Sequence, residues 1–468
     1  MSLALKIVAG GLWKSGVNYA SSSVNLLANI LLARLLVPTD FGVFALAMSI
    51  SEILFTLGGL GLAKACIRLQ EEADVFDTTM ILAWIIAGVL AFLGTFLSLV
   101  VVPFYSGQIA IFLFIICSVT ALQFPSSIYS AHMEKEFMFR RSAMVRGVCR
   151  SCAAIVGVGF AALGLGPWSL LFRTVFHGIM IFIGMSYFST FKFKAHYNKE
   201  TARKVWRFSY DMFFMRLSET AFDQMPKFLL GSLAGTQFLG LFERSKHMSG
   251  LPNSMLSPFN AEVGFAVYSR FKEYPSKIAE GVQWNLMLVG HLVLPAGLLV
   301  FLFSESILQT VLGAQWVPAA PLLQGFSLFL ITLPVYVVLK YVLLARGNVR
   351  DVTLTRSISA VFVLAWIGIA YFREGFWQYL PWIISTVILA STVFLAWRCS
   401  KIGISIPWLS IFGIPSVLVS LLLVLGIYLR SNGMNALLIM VLFLSLWLVA
   451  LVLFEHKKMF EIYGRLKA

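Results

Sequence analysis

Hydrophobic residues in this chain come in long blocks separated by short polar joins, not in the strict alternation of a half-buried strand. Each block runs for about 20 residues or more, the length an α-helix needs to cross a bilayer. Fourteen such stretches can be marked, at 11–37, 40–66, 78–103, 107–131, 141–163, 166–190, 205–232, 236–264, 277–304, 318–345, 350–372, 376–398, 404–428 and 434–455. They predict an all-α integral membrane protein of about 14 transmembrane helices. The longest polar piece, 191–204, follows the sixth span and divides the chain. An N-terminal lobe over 1–190 (spans 1–6) precedes this linker and a C-terminal lobe over 205–398 (spans 7–12) follows it. Residues 399–468 supply spans 13 and 14 and a tail.

Four spans carry a polar stripe down one face at helical spacing. In the first, Lys14, Ser15, Asn18, Ser22, Asn25 and Asn29 align, opposite Tyr19, Leu27, Ile30 and Leu31. The second has the narrow strip Ala45, Ser49, Glu52, Thr56, Gly59 and Ala63. In the seventh, Arg216, Glu219, Asp223 and Lys227 fall within about 80° of one another at 100° per residue. The eighth aligns Glu243, His247, Gly250, Ser254 and Ser257, with Lys246 and Asn253 at the edge and Pro252 and Pro258 as expected kinks. An ionisable group at the bilayer centre costs roughly 2.5–3.5 kcal/mol on insertion scales. Four in one span therefore face protein or water, not lipid. Adhesion between helices through Ser, Asn and Gly is one explanation of such stripes. A central cavity shared by spans 1, 2, 7 and 8 is the other, and the charges on spans 7 and 8 favour it.

Composition agrees with the span reading: 59% of residues are hydrophobic, 12% are charged and mean hydropathy is +0.87, which excludes an ordinary soluble domain. Charge then orients the chain. Arg34, Arg373 and Arg430 are the only bases in the odd-to-even joins, whereas the termini and the other loops hold most of the 36 Lys and Arg, six of them at Lys192, Lys194, Lys199, Arg203, Lys204 and Arg207. The positive-inside rule places both termini and the linker in the cytoplasm. The net charge of +15 is thus largely topological, and no nucleic-acid partner is expected. No cleavable signal peptide is expected either, since the first apolar run carries Lys14 and several Asn. Cys149 and Cys152 have CxxC spacing but sit on a predicted membrane helix without a nearby histidine, so packing explains them better than zinc or redox chemistry.

The charges suggest two kinds of chemistry. Asp223 and Lys227 (i, i+4) and Arg216 and Glu219 (i, i+3) can pair along one helix. Glu219 and Asp223 are themselves like charges one turn apart, which makes one of them a candidate proton or sodium site. Glu52 and Glu262 are further candidates for ion coupling. Arg173, with His177 one turn on, lies deep in its span, and Arg146, Arg150, Arg244, Lys246 and Lys340 lie inside spans or near their ends. A cavity rich in arginine suits a phosphate-bearing cargo, because guanidinium binds phosphate oxygens through a two-pronged fork. No phosphate-binding loop, HExxH, Gly-x-Ser-x-Gly or paired acidic motif is present. No catalytic residue, metal site or cofactor is expected, and energy is expected to come from an ion gradient, the membrane potential or consumption of product.

The halves resemble each other. Leu31-Leu32-x-x-Leu35…Phe41-Gly42-Val43-Phe44 matches Leu229-Leu230-x-x-Leu233…Leu239-Gly240-Leu241-Phe242 at a constant offset of 198 residues, each at the join of the first two spans of its half. Inverted or parallel repeats facing a midplane site are a recurrent transporter plan. The first join, Ala33-Arg34-Leu35-Leu36-Val37-Pro38-Thr39-Asp40-Phe41-Gly42, resembles the opening motif of Wzx-type polysaccharide transporters. Gly164-Leu165-Gly166-Pro167-Trp168-Ser169-Leu170, Leu239-Gly240-Leu241-Phe242 and Val267-Tyr268-Ser269-Arg270 resemble weaker motifs of the same family, with Phe242 and Ala266 departing from the usual Tyr and Pro. The likeness covers most of residues 10–400.

That family is the oligosaccharide flippase branch of the multidrug/oligosaccharidyl-lipid/polysaccharide (MOP) superfamily. The resemblance implies two pseudo-symmetric six-helix lobes in a V, a cavity lined by helices 1, 2, 7 and 8, and alternating access. It implies a polyprenyl-pyrophosphate-linked oligosaccharide as cargo, moved to the outer leaflet of the bacterial cytoplasmic membrane for exopolysaccharide, capsule or O-antigen synthesis. Membrane lipids, H+ or Na+, and a polysaccharide polymerase with its chain-length machinery are the partners implied. The expected substrate-binding residues are Arg173, Arg216, Lys227, Arg244, Lys246, Asn18, Asn25 and Asn29, and the expected coupling residues are Glu52, Glu219, Asp223 and Glu262. An ion-coupled multidrug or small-metabolite exporter of the same fold is the alternative, and a membrane glycan ligase or polymerase is the alternative of another class. Short outer loops count against the ligase, and the intramembrane bases count against a pump for cationic drugs.

Overall fold

A computed structural model of the chain describes residues 3–58, 61–69, 74–259, 264–271, 273–373, 375–432, 435–436, 438–447 and 449. Among these residues all regular structure is helical. The helices are α1 (Leu3–Leu35), α2 (Pro38–Gly58), α3 (Leu62–Arg68), α4 (Val75–Val101), α5 (Gly107–Thr120), α6 (Gln123–Lys135), α7 (Phe139–Ala162), α8 (Trp168–Phe188) and α9 (Lys199–Asp223). After them come α10 (Met225–Leu233), α11 (Thr236–Phe259), α12 (Phe265–Arg270), α13 (Pro275–Val311), α14 (Ala320–Gly325), α15 (Ser327–Ala345), α16 (Val349–Tyr371), α17 (Leu380–Lys401) and α18 (Trp408–Ser431), then α19 (Leu438–Trp447). Ten spans among the described residues are long and apolar enough to cross a membrane, and the chain is a multi-pass membrane protein.

The breaks have local causes. α1 stops at Leu35 and α2 starts at Pro38, whose fixed φ and missing N–H suit a first helical turn. Asp40 accepts the Val37 N–H at 3.2 Å there. The seventh span is not continuous: α9 ends at Asp223, and α10 restarts at Met225 with Pro226 in its first turn. Proline has no N–H to give the carbonyl four residues back, so the ladder is interrupted. The stripe expected on one unbroken face is therefore divided between Asp223 and Lys227. α13 carries Pro295 and is kinked at Phe303, whose φ of −123° and ψ of 24° leave the helical range.

The chain forms two compact units. One comprises Met1–Arg244, Val311–Trp316 and Val349–Leu380, and the other comprises Ser245–Thr310, Val317–Asn348 and Pro381–Ala468. In the first, α2 packs on α5, α9 and α10, α16 packs on α9, and α1 lies along α7. Lipid is as apolar as leucine, so close packing and polar contacts hold such helices together more than solvent exclusion does. Gly42 of α2 and Gly240 of α11, equivalent positions of the 198-residue repeat, share one helix crossing. In the second unit, Leu294, Leu298 and Leu302 of α13 pack with Leu422, Ile439 and Phe443, which fastens α18 and α19 to α13.

Candidate functional site

The asparagine face of α1 meets an arginine. Arg173 of α8 donates from Nη1 to Asn29 Oδ1 and from Nη2 to Asn25 Oδ1, both at 2.9 Å. The i, i+4 spacing of Asn25 and Asn29 stacks two carbonyls one turn apart, which matches the two prongs of the guanidinium. Asn25 is itself steadied by its Nδ2 donating to Ser21 O at 2.8 Å. Gly157 of α7 makes the room: a Cβ there would lie 2.9 Å from Arg173 Cβ and 3.1 Å from its Cδ. The amide acceptors are neutral, so they aim Arg173 without cancelling its charge, and they use two of its five donors.

Arg244, near the start of α11, also has a neutral support. Its guanidinium carbon lies 3.5 Å from the centre of the Phe41 ring, a cation–π contact. Phe41 meets Trp316 edge-on at 5.4 Å, and the buried Trp316 donates from Nε1 to Ala33 O at 2.7 Å. Gln315 Nε2 donates to Ala33 O at 3.0 Å and to Arg34 O at 3.3 Å, while Arg34 Nε donates to Val311 O at 3.0 Å. Gln315 and Trp316 thus serve carbonyls in the last turn of α1, where the helix supplies no donors of its own. Arg173 lies close enough to Arg244 for their charges to repel, and Arg150 and His177 lie within its field as well.

A second cluster holds the acids. Lys227 of α10 pairs with Glu243 of α11 at 3.1 Å, and Asp223 and Glu52 also lie within reach of its charge. Asp223 Oδ2 accepts from Arg356 Nη2 of α16 at 3.2 Å. The Arg356 guanidinium lies 3.9 Å from the centre of the Phe222 ring and is 9% exposed. Hydroxyl pairs join the same helices, Thr56 with Thr220 at 2.7 Å and Ser218 with Ser357 at 2.8 Å. Lys227 and Asp223 of the seventh span are therefore compensated between helices, by Glu243 on α11 and Arg356 on α16.

The other expected residues differ in exposure. Asn18, Glu52, Glu219 and Lys246 are half-buried, and Arg216 is exposed. Lys246 belongs to the second unit, and Glu262 lies outside the described residues. Arg356 was not among the candidates drawn from the sequence. Its signal was a base six residues inside the eleventh apolar stretch, a span that shows no stripe of its own. Among the described residues no group of three or more His, Cys, Asp or Glu could hold a metal ion.

Comparison with known proteins bears on what such an arrangement serves. The sequence model of a family described as "Polysaccharide biosynthesis protein" matches residues 31–321. The succinoglycan biosynthesis transport protein ExoT of Rhizobium meliloti is 22% identical over 299 residues, which are 63% of this chain. The match spans 60% of the length of that relative. Among solved structures, the lipid II flippase MurJ in an inward closed conformation superposes with a TM-score of 0.78 at 14% identity, covering 96% of this chain and all of that one. An inward-facing multidrug resistance MATE transporter of the MOP superfamily gives 0.55 at 14% identity, over 86% of this chain and 96% of the other. The fold is therefore the one shared by MurJ and the MATE transporters.

Proposed function

Because the chain belongs to the polysaccharide biosynthesis protein family, we propose that it is a flippase, not an enzyme, for polyprenyl-pyrophosphate-linked oligosaccharide repeat units. It moves the head group from the inner to the outer leaflet of the bacterial cytoplasmic membrane by alternating access, the six-span lobes 1–190 and 205–398 being the moving parts. The observation that carries this reading is Arg173, a half-buried cation aimed by two neutral carbonyls with a second cation, Arg244, in its field. Among the described residues neither guanidinium has a carboxylate at hydrogen-bond distance, Glu243 reaching Arg244 only through its field, and two guanidiniums that repel each other form a site that an anion such as pyrophosphate relieves. The name of ExoT, a transport protein in succinoglycan biosynthesis, supports a glycan cargo.

In this reading Asn18 and the remaining polar face of α1 meet sugar hydroxyls, and Arg216, Lys227 and Lys246 are secondary cations. Glu52, Glu219, Asp223 and Glu262 belong to the coupling of H+ or Na+. The fourteen spans are the ten apolar ones together with α1, α9, α11 and α19. The first three are as long as the others but interrupted by Asn, Ser and charged residues. Both termini are cytoplasmic, and the chain hands its cargo to a polymerase on the outer side.

The acids around Lys227 favour a second reading, an ion-coupled exporter of drugs or small metabolites on the same fold. The experiment that separates them replaces Arg173 or Arg244 by Ala in the host and measures lipid-linked intermediates by mass spectrometry. Build-up of a complete pyrophosphate-linked repeat unit on the inner leaflet is the expected result. Normal lipid-linked pools with impaired efflux of a small solute would select the exporter.

A further inference from the structure

Residues 192–207 carry six bases, Lys192, Lys194, Lys199, Arg203, Lys204 and Arg207, against one carboxylate, Glu200. A topological signal needs only such charges in the chain as it is inserted. This segment has more than charge, because it is folded against the protein at both ends. Phe191 enters the cluster of Phe76, Tyr129 and His132, with ring centres 5.9, 6.0 and 5.3 Å away. Lys194 N donates to Asp77 Oδ1 at 2.6 Å and Asn198 N to Thr78 Oγ1 at 3.1 Å, both acceptors lying in the first turn of α4. His196 lies 3.5 Å from Asp74. Asn198 then caps α9, its Oδ1 accepting from Glu200 N at 2.9 Å and Thr201 N at 3.3 Å. Ala195 is held at a φ of 53°, a left-handed conformation that a residue with a Cβ avoids unless its surroundings impose it.

The pinning sorts the side chains. Thr201, Ala202 and Val205 are buried, while all six bases are exposed. Interleaved with them, Phe193 is 42%, Tyr197 51% and Trp206 54% exposed. Aromatic rings with a polar edge settle at the headgroup level of a bilayer, and bases beside them attract anionic headgroups. A strap pinned by these contacts that presents both loses little freedom on binding.

We propose that the strap 191–207 is a binding surface for anionic phospholipid headgroups of the leaflet it meets, with Lys192, Lys194, Lys199 and Arg203 holding the phosphates and Phe193, Tyr197 and Trp206 seated among the glycerol groups. The proposed orientation enters only in making that leaflet the cytoplasmic one. Lipid retention is read without transport, so the failure of this inference and of the flippase reading are separable.

The test purifies the full chain in nanodiscs of phosphatidylglycerol mixed with phosphatidylcholine and counts co-purifying lipids by native mass spectrometry. Phosphatidylglycerol should be enriched on the wild-type chain, and the enrichment should fall about tenfold in the variant Lys192→Gln/Lys194→Gln/Lys199→Gln/Arg203→Gln. Asp77→Ala discriminates further: it removes a negative charge but also the anchor of Lys194 N, so retention should drop, whereas simple charge attraction would raise it. Retention equal in wild type and the glutamine variant, or raised by Asp77→Ala, overturns the proposal. So does a melting shift in pure phosphatidylcholine nanodiscs produced equally by inorganic phosphate. If the glutamine variant does not fold, wild-type retention that does not weaken as salt rises overturns it equally.

Discussion

Gly42 and Gly240 each leave room for the first turn of the other's helix. A Cβ on Gly42 would run into the carbonyl oxygen of Thr236, and a Cβ on Gly240 would run into the carbonyl oxygen of Pro38 and lie 3.1 Å from Gly42 N. Pro38 and Thr236 are separated by the same 198 residues as Gly42 and Gly240. Each first turn therefore packs on its own repeat equivalent, as the two sides of a two-fold contact do. Gly42→Ala or Gly240→Ala puts a methyl against backbone, which cannot rotate away as a side chain can. Each is expected to lower stability by about 1–3 kcal/mol, the usual range for overpacking, and the double variant to cost less than the sum. Thermal unfolding in detergent measures both.

Gly157 tests the aiming of Arg173 without touching its charge. Gly157→Ala crowds the Arg173 stem at 2.9 and 3.1 Å and should pull the guanidinium off Asn25 and Asn29. Transport of the lipid-linked cargo is expected to fall several-fold, as it should in Asn25→Ala/Asn29→Ala, where the charge stays and the aim is lost. Arg173→Lys should not rescue transport, since one ammonium cannot serve both carbonyls in the same fork. Accumulation of lipid-linked repeat units in the host reads all three.

Lys227 and Glu243 are mostly buried, at 18% and 23% side-chain exposure. Removing one member leaves the other charge poorly solvated, while removing both does not. Lys227→Met and Glu243→Gln should each cost about 1–3 kcal/mol, discounted for the remaining exposure, and the double variant should recover part of that loss. A double-mutant cycle on thermal midpoints gives the coupling; independence of the two changes would remove the pair from the account.

Trp316→Phe keeps the ring against Phe41 but deletes the Nε1 donor to Ala33 O, 2.7 Å away. Gln315 still donates to that carbonyl. The loss is expected near the low end of the ~1–3 kcal/mol for a buried polar group deprived of a partner, and larger in Trp316→Phe/Gln315→Ala. Melting curves of the single and double variants test the ordering.

Arg356→Lys is expected to weaken the first unit although it keeps the charge. An ammonium loses the flat stack on Phe222 at 3.9 Å and the directed donor to Asp223. Asp223→Asn should act in the same direction, and the two changes should be less than additive in thermal midpoint.

Much of the architecture was legible in the residues. Bilayer thickness and the cost of placing charge in hydrocarbon act on residue type along a single helix, so apolar length and one-sided polar stripes can be read without neighbours. The all-helical, membrane-spanning character and the asparagine face of α1 follow from that. The 198-residue offset likewise pointed to Gly42 and Gly240 as equivalents. Other features were not legible. The expectation of one charged face through span seven overlooked Pro226, whose effect on the ladder divides the stripe.

Partner choice was decided only in three dimensions. Asn25 and Arg173 are 148 residues apart, Asp223 and Arg356 are 133 apart, and Ala33 and Trp316 are 283 apart. No period along the chain relates them. Sequence determined which faces had to avoid lipid, because that follows from the chemistry of each residue and the pitch of a helix. Tertiary structure decided, among the described residues, which charge met a carboxylate at hydrogen-bond distance and which met a neutral carbonyl or ring. That depends on how helices distant in sequence are set in register, and it sets Arg173 against two amide carbonyls and Arg244 against a ring, while Lys227 and Arg356 each meet a carboxylate.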